Sequence, residues 1–170
     1  MALGPSSALQ RLLDAPVRPG RLAWIGLRSA RRGPVREVES AALSPEDGLA
    51  GDRYGGRAGG ARQVTLIARE DLAAVAGFLG RDAVSPALLR RNLVTEGVNL
   101  LALKDRRVAV GEAVLEITGE CHPCSRMEEA LGPGGYNALR GRGGLTARVL
   151  RGGLIRLGDA ILRLDAADQG

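Results

Sequence analysis

The stretch 114–131, VLEITGECHPCSRMEEAL, contains the only two cysteines of the sequence, Cys121 and Cys124, and its only histidine, His122. Apolar and polar residues alternate over 114–118, which predicts a β-strand, whereas 125–131 has the composition of a helix. A reactive group at the end of a strand is held by a rigid element and can still face solvent. The stretch therefore predicts that the chemistry of this protein lies at a junction between a strand and a helix.

The remaining sequence is a succession of short apolar runs separated by turns. Its 25 glycines favour tight turns over long helices. Strands are predicted over 22–28, 34–43, 62–67, 93–97, 107–111, 113–118, 145–150, 153–157 and 160–164, and helices over 6–15, 69–80, 85–89, 125–131 and 136–139. This order is not a βαβ repeat. It predicts a mostly β, largely antiparallel and barrel-like fold with helical insertions.

The length of 170 residues suits one domain with a core of its own. We expect an N-terminal helical appendage over 1–20, the domain over 21–165 and a tail over 166–170. No run approaches the roughly 20 apolar residues of a membrane span, and the first residues lack the pattern of a signal peptide. We therefore expect a cytoplasmic protein without membrane contact, in which the thiols are reduced at rest.

The formal net charge is +5, and its positive part is almost wholly arginine, because Lys104 is the only lysine. Guanidinium groups bind phosphate or carboxylate in pairs of hydrogen bonds, so an anionic ligand is a candidate. A GC-rich genome is the alternative explanation. Aromatic residues make up only 2% of the chain, which argues against a nucleic-acid partner that stacks its bases on the protein. The residues that would form an anion clamp are Arg53, Arg62, Arg90, Arg91, Asn92 and Arg126; the alternative is a solvated basic corner.

The Cys-x-x-Cys motif at 121–124 allows four interpretations. A thioredoxin-type redox pair fits the local order of strand, motif and helix, but the chain lacks the βαβ start of that fold. Half of a zinc site would need ligands beyond His122. A single nucleophile or metal ligand, Cys124, would leave Cys121 as a neighbour. Two buried small hydrophobes are the fourth interpretation. His122 either tunes the Cys124 thiolate and donates a proton or is a plain surface residue.

Five segments, in this order and spacing, resemble the MOSC domain. This is the C-terminal domain of molybdenum cofactor sulfurases, and it also occurs as stand-alone bacterial proteins. The resemblance spans about 23–164, and it implies a β-barrel-like domain with helices packed around it. The segments are 48–55 (GLAGDRYG), 62–67 (RQVTLI), 91–97 (RNLVTEG), Pro123-Cys124 and 153–159 (GLIRLGD).

The resemblance implies a function centred on Cys124, which matches a family cysteine that ligates molybdenum or carries a persulfide. The first hypothesis is a molybdenum-pterin (molybdopterin) oxidoreductase acting on small N-hydroxylated compounds. Electrons would come from a separate reductase, because the chain has no flavin, haem or iron–sulfur motif. Cys124 would be the metal ligand and, with His122, catalytic. Arg53, Arg91, Asn92 and Arg126 would hold the cofactor.

Two other functions remain open under the same resemblance. The protein could be a sulfur carrier whose Cys124 receives persulfide sulfur from a pyridoxal-phosphate-dependent cysteine desulfurase, or a non-catalytic binding module. The sequence departs from the family at Tyr54, where histidine is frequent, and at Arg90-Arg91, where other members have Gly-Glu before the asparagine. Cys121 is not a general family feature, and it could resolve a persulfide or sulfenate on Cys124 as a disulfide.

Overall fold

The structure is a computed structural model that describes residues 7–165. These residues form eleven strands, four α-helices and two short 3-10 turns. The strands are β1 Gly20–Leu27, β2 Arg36–Val38, β3 Ser40–Ser44, β4 Gly48–Leu49, β5 Val64–Ala68, β6 Leu93–Glu96, β7 Arg107–Val110, β8 Ala113–Glu120, β9 Leu145–Arg151, β10 Gly153–Arg156 and β11 Ala160–Leu164. The helices are α1 Ala8–Asp14, α2 Arg69–Phe78, α3 Ser125–Leu131 and α4 Gly135–Leu139, and the 3-10 turns are Pro86–Leu89 and Leu100–Leu103.

Seven strands close into a barrel in the order β1-β6-β5-β9-β8-β7-β11. The ring closes because β11 pairs with β1, with Gly20 opposite Ile161. β2 continues the sheet beside the end of β1, and β10, β3 and β4 form a separate three-stranded sheet. The predicted mostly β, barrel-like fold with helical insertions is thereby confirmed.

One pair of strands in the barrel is parallel. β5 and β6 run in the same direction, with Leu66 opposite Leu93, whereas the other pairings between strands of residues 7–165 are antiparallel. A parallel pair needs a crossover on the face of the sheet, and α2 with the turn Pro86–Leu89 supplies it. The fold therefore contains a single βαβ unit within an otherwise antiparallel barrel.

The parallel pair separates two hydrophobic cores. Leu66 and Leu93 point into the barrel, and Ile67 and Val94, the next residues along β5 and β6, point outward. The outer pair packs beneath α2, α3 and α4 in a cluster that includes Met127. Each fully buried side chain of this size contributes roughly 1.5–3 kcal/mol. This outer core holds α3, and with it the residue that precedes α3, against the barrel wall.

The prediction of one strand over 34–43 was wrong. The structure has two strands there, because β2 pairs with β1 while β3 pairs with β10 in the other sheet. Glu39 lies at the change of partner, and its carbonyl oxygen accepts a bond from the Leu157 amide at 2.9 Å. The alternation of apolar residues continues across this point, so the pattern does not reveal the break.

Helix α1 lies outside the barrel and has no buried residue. Its end is held by two arginines: Arg106 forms an ion pair with Asp14 at 2.6 Å, and Arg163 donates to the carbonyl oxygens of Leu13, Asp14 and Ala15. Residues 1–6 of the expected appendage and the expected tail 166–170 lie outside the described residues. Among residues 7–165, the helices are all too short or too polar to cross a bilayer.

Candidate functional site

The two cysteines differ in their access to solvent. Cys124 is exposed and caps the N-terminus of α3, whereas Cys121 is buried, with 4% of its surface accessible. Both thiols are free. The buried Met127 and Leu131 anchor α3 in the outer core. Cys124 is therefore the thiol that a ligand or partner can reach, and it sits on a fixed part of the backbone.

A glycine-rich loop, 140–144 (RGRGG), packs against the cysteine segment. The amide of Cys121 donates to the carbonyl oxygen of Gly144 at 2.8 Å. A Cβ atom on Gly143 would overlap the carbonyl oxygen of Cys121, and one on Gly144 would overlap that of Leu66. Gly144 also has a φ of +88°, which favours glycine. No role was predicted for this loop from the sequence, although its three glycines within four residues indicate a close backbone contact.

Arg91 lies behind the loop and is buried, with 6% of the residue's surface exposed. Nε donates to the carbonyl oxygen of Gly143 at 2.8 Å, and Nη1 donates to that of Leu89 at 2.6 Å. Burial lowers the pKa of Arg91, against the opposing effect of Cys121 and Cys124. Nη2 is buried and has no hydrogen-bond partner among residues 7–165. It is therefore a buried donor close to both cysteines that still lacks an acceptor.

Arg90 is half-buried and lies close enough to Cys124 to interact with it electrostatically. Its φ of +60° ends the turn Pro86–Leu89 in the left-handed region. Burial lowers the pKa of Arg90, the nearby cations of Arg28, Arg126 and Arg31 lower it further, and Cys124 acts in the opposite direction. None of these four arginines takes part in an ion pair within residues 7–165. We call Arg28, Arg31, Arg90 and Arg126 the arginine cluster; it is a concentration of unpaired positive charge beside the exposed thiol.

Asn92 and Asp52 tie the loop 48–55 to the barrel. Nδ2 of Asn92 donates to Oδ2 of Asp52 at 3.2 Å, and Oδ1 of Asn92 accepts from the Thr65 amide at 3.1 Å. Oδ1 of Asp52 accepts from the backbone amide of Arg28 at 2.8 Å. Both the amide nitrogen and the amide oxygen of the Asn92 side chain thus form hydrogen bonds with other residues of the chain. Its position suits it to hold the loop and the backbone of Arg28 in place.

The remaining predicted residues lie around this centre. Arg53 is exposed, and its amide donates to the carbonyl oxygen of Arg28 at 2.6 Å, which places it next to the arginine cluster. His122 is exposed and lines a cavity of about 350 Å³ together with Cys121 and Pro123. A second cavity, of about 430 Å³, is lined by Arg90 and Arg126 on the other side. Cys124 itself lines neither of these two cavities; along the chain it lies between the residues that do.

The fold and the site together define a class: small β-barrel proteins with one exposed cysteine at a junction of strand and helix, set among arginines. A model of the MOSC domain matches residues 50–162, and the chain belongs to this family. No curated protein sequence matches the chain.

Three solved structures show the same fold. The YuaD protein from Bacillus subtilis is 18% identical, with a TM-score of 0.74 over 86% of this chain and 96% of its own. YiiM from Geobacillus stearothermophilus is 15% identical, with a TM-score of 0.70 over 86% of this chain and 75% of its own. YiiM from Escherichia coli is 19% identical, with a TM-score of 0.67 over 85% of this chain and 70% of its own. At these identities the likeness concerns the fold.

Proposed function

We propose that the protein binds a molybdenum-pterin cofactor through Cys124 and acts as an oxidoreductase on small N-hydroxylated compounds. The observation that carries the proposal is the exposed Cys124 thiol beside the unpaired charges of the arginine cluster. A thiolate is a soft ligand suited to a sulfur-rich molybdenum centre. Guanidinium groups suit the phosphate of the pterin. The two requirements of such a cofactor thus meet at one place on the surface.

Two further observations support the fit of the cofactor. No group of three or more His, Cys, Asp or Glu side chains among residues 7–165 could hold a metal ion by itself. A metal that brings most of its ligands with it needs only one thiolate from the protein, and Cys124 offers one. The buried Nη2 of Arg91, which has no acceptor within the described chain, supplies a donor toward an anionic ligand from the interior side.

We assign the residues of the site as follows. Cys124 ligates the metal, and Arg90 and Arg126 bind the cofactor's phosphate from the solvent side. Arg91 contributes Nη2, and Arg53 extends the positive rim. Asn92 positions the loop that carries Arg53. When bound, the cofactor supplies oxygen-atom transfer chemistry. A separate reductase supplies the electrons.

The reaction requires protons as well as electrons. Reduction of an N-hydroxylated compound to the amine consumes two electrons and two protons and releases water. His122 is exposed, two residues from Cys124, and lines the adjacent cavity. An imidazole at this position can donate a proton to a bound compound. We therefore propose His122 as the proton donor to the departing oxygen.

Metal analysis tests the proposal. The protein is purified from a host that makes the cofactor, and molybdenum is measured in the wild type, in Cys124→Ala and in Cys121→Ser. We expect molybdenum in the wild type, its loss in Cys124→Ala and its retention in Cys121→Ser. Arg90→Glu should lower the occupancy, because it reverses a charge beside the bound phosphate. Molybdenum that is absent from the wild type, or equal in Cys124→Ala, would refute the proposal.

The second candidate is a sulfur carrier, which the open position of Cys124 favours. An exposed thiol is accessible to another protein, as persulfide exchange requires. The Cys124 thiolate would attack the outer sulfur of a cysteine desulfurase persulfide, and the desulfurase thiolate would leave. The pyridoxal phosphate would belong to that partner. Metal-free protein that gains one sulfur atom on Cys124 in the mass spectrum would support this function. The absence of both molybdenum and bound sulfur would support the non-catalytic binding module.

A further inference from the structure

The cavity of about 350 Å³ beside Cys121 and His122 has walls from four parts of the chain. They are the cysteine segment 120–123, the loop 140–145, the turn 99–101 and Asp71 of α2. The cavity therefore opens one residue away from Cys124. A volume of this order is at the lower end of the range found for small-molecule sites, roughly 300–1,000 Å³.

The charged side chains that line this cavity differ in whether they have an ion-pair partner. The carboxylate of Asp71 forms an ion pair with Arg142 at 2.9 Å, and that of Glu120 forms one with Lys104 at 3.1 Å. Arg140 lines the same cavity, is exposed, and has no side-chain hydrogen bond or ion pair within residues 7–165. Both negative groups of the wall are thus already neutralised, and the free charge that the cavity offers to a ligand is the guanidinium of Arg140.

Apolar side chains form part of the same wall. Leu100, Leu101, Pro123 and Leu145 line it; Leu101 is 53% exposed, whereas Leu100 and Leu145 are buried. An inorganic anion would use none of this surface. An organic compound with one anionic end would place its apolar body against Leu101 and Pro123 and its charge on Arg140. The geometry of guanidinium favours a planar carboxylate, which it binds through two parallel hydrogen bonds.

We propose that this cavity binds the substrate and that the substrate is a small organic compound with a carboxylate group, which Arg140 binds. The inference rests on the proposed function, because it takes the cavity beside Cys124 as the place where the substrate is held. Arg140 is a specificity-determining residue in this arrangement. It distinguishes substrates by their charge and takes no part in the proposed ligation at Cys124.

The chain has a built-in reporter for this cavity. His122 is the only histidine, so its ring carbon resonances are observable by NMR without ambiguity. The full chain is titrated at constant pH with para-carboxybenzamidoxime, with neutral benzamidoxime and with inorganic phosphate. The variants are Arg140→Gln and, as the matched control, Arg151→Gln. Arg151 is also exposed but lies opposite Val114, at the other end of β8 and β9 from the cavity.

We expect the carboxylate compound to shift the His122 resonances saturably in the wild type and in Arg151→Gln. Its affinity should fall about tenfold or more in Arg140→Gln, to that of the neutral compound, because the paired charged hydrogen bonds are lost. Equal affinities for the charged and neutral compounds, an unchanged Arg140→Gln, absence of binding, or phosphate binding as tightly as the carboxylate would each overturn the inference. The readout does not require molybdenum, so failure here is distinguishable from failure of cofactor binding.

Discussion

The guanidinium of Arg91 donates from Nε to the carbonyl oxygen of Gly143 at 2.8 Å. This bond joins the segment that leads into β6 to the glycine-rich loop 140–144. In the same loop, the carbonyl oxygen of Gly144 accepts a hydrogen bond from the Cys121 amide. A buried cation thus fixes the backbone on which the cysteine segment rests, and it does so through main-chain carbonyls without a carboxylate partner.

The variant Arg91→Leu should therefore be strongly destabilised. The substitution leaves the carbonyl oxygens of Gly143 and Leu89 without their donors, at a cost of about 2–5 kcal/mol in the free energy of unfolding. Urea unfolding followed by circular dichroism measures this loss. Arg90→Leu is the matched control, because Arg90 donates no side-chain hydrogen bond within residues 7–165. If the two variants were equally stable, Arg91 would have no such structural role.

The glycines of the loop should differ in their tolerance of alanine. Both Gly141 and Gly144 have a positive φ, at +75° and +88°, but a Cβ on Gly141 meets open space whereas one on Gly144 overlaps the Leu66 carbonyl oxygen. Gly141→Ala should cost about 1–2 kcal/mol from backbone strain. Gly144→Ala should cost at least about 2 kcal/mol more, because the main chain must shift. Equal midpoints in thermal unfolding would contradict the close contact with β5.

The two thiols should differ in their rates of alkylation. In the native protein, iodoacetamide should modify the exposed Cys124 first and the buried Cys121 about tenfold or more slowly. Peptide mass spectrometry at timed intervals gives both rates. In Cys124→Ser the fast phase should disappear, and in Cys121→Ser it should remain. Comparable rates in the folded protein would mean that the cysteine segment opens readily.

Glu128 should make the stability of the protein depend on pH in the acid range. Its carboxylate accepts hydrogen bonds from the backbone amides of Tyr136 and Gly134, each at 2.7 Å. These bonds hold the pKa of Glu128 below its usual value. A lowered pKa contributes stability that is present above the unfolded-state pKa and is lost as the pH falls through the folded-state pKa.

The variant Glu128→Gln tests this dependence. It should unfold at a lower urea concentration than the wild type at pH 7. The difference should shrink as the pH falls below the ordinary glutamate pKa of about 4.3, and it should vanish only below the lowered pKa of folded Glu128, where the wild-type carboxyl is protonated as well. Glu129→Gln is the control, since the exposed Glu129 has no hydrogen bond or ion pair within the described chain. A difference that stayed constant from pH 7 to pH 3 would show that the charge of Glu128 is not the cause.

Periodicity predicted most of the fold, because the strands of the barrel are half-buried and alternate. β8 and β11 lie within one or two residues of their predicted bounds. The break between β2 and β3 was not predictable from the pattern, since it depends on which strand each half pairs with, and β10 is distant in sequence. The parallel pairing of β5 and β6 was missed for a related reason: one βαβ unit leaves no repeat in the sequence.

The sequence predicted which kinds of residue form the site, but not how their side chains are arranged. Cys124 stood out as one of two cysteines, and Arg90 and Arg91 were both predicted as members of an anion clamp. Which of them lies inside depends on the left-handed backbone of Arg90, and an arginine at that position gives no sign of a positive φ. Arg28 and Arg31 follow β1, and they lie in the arginine cluster only because of how β1 pairs in the sheet. The role of the 140–144 loop depends on its contacts with Cys121 and Leu66.

The pairing of β1 with β11 has a consequence for the synthesis of the protein. Among the strands of residues 7–165, β1 leaves the ribosome first and β11 last, and Ile161 on β11 completes the interior of the barrel. Until β11 has emerged, the nascent chain has an open sheet with unpaired edges on both β1 and β7. The outer core beneath the helices needs no residue beyond Leu139 and can form earlier. Barrel closure is therefore a late, long-range event, during which the growing chain is most exposed to aggregation and to chaperones.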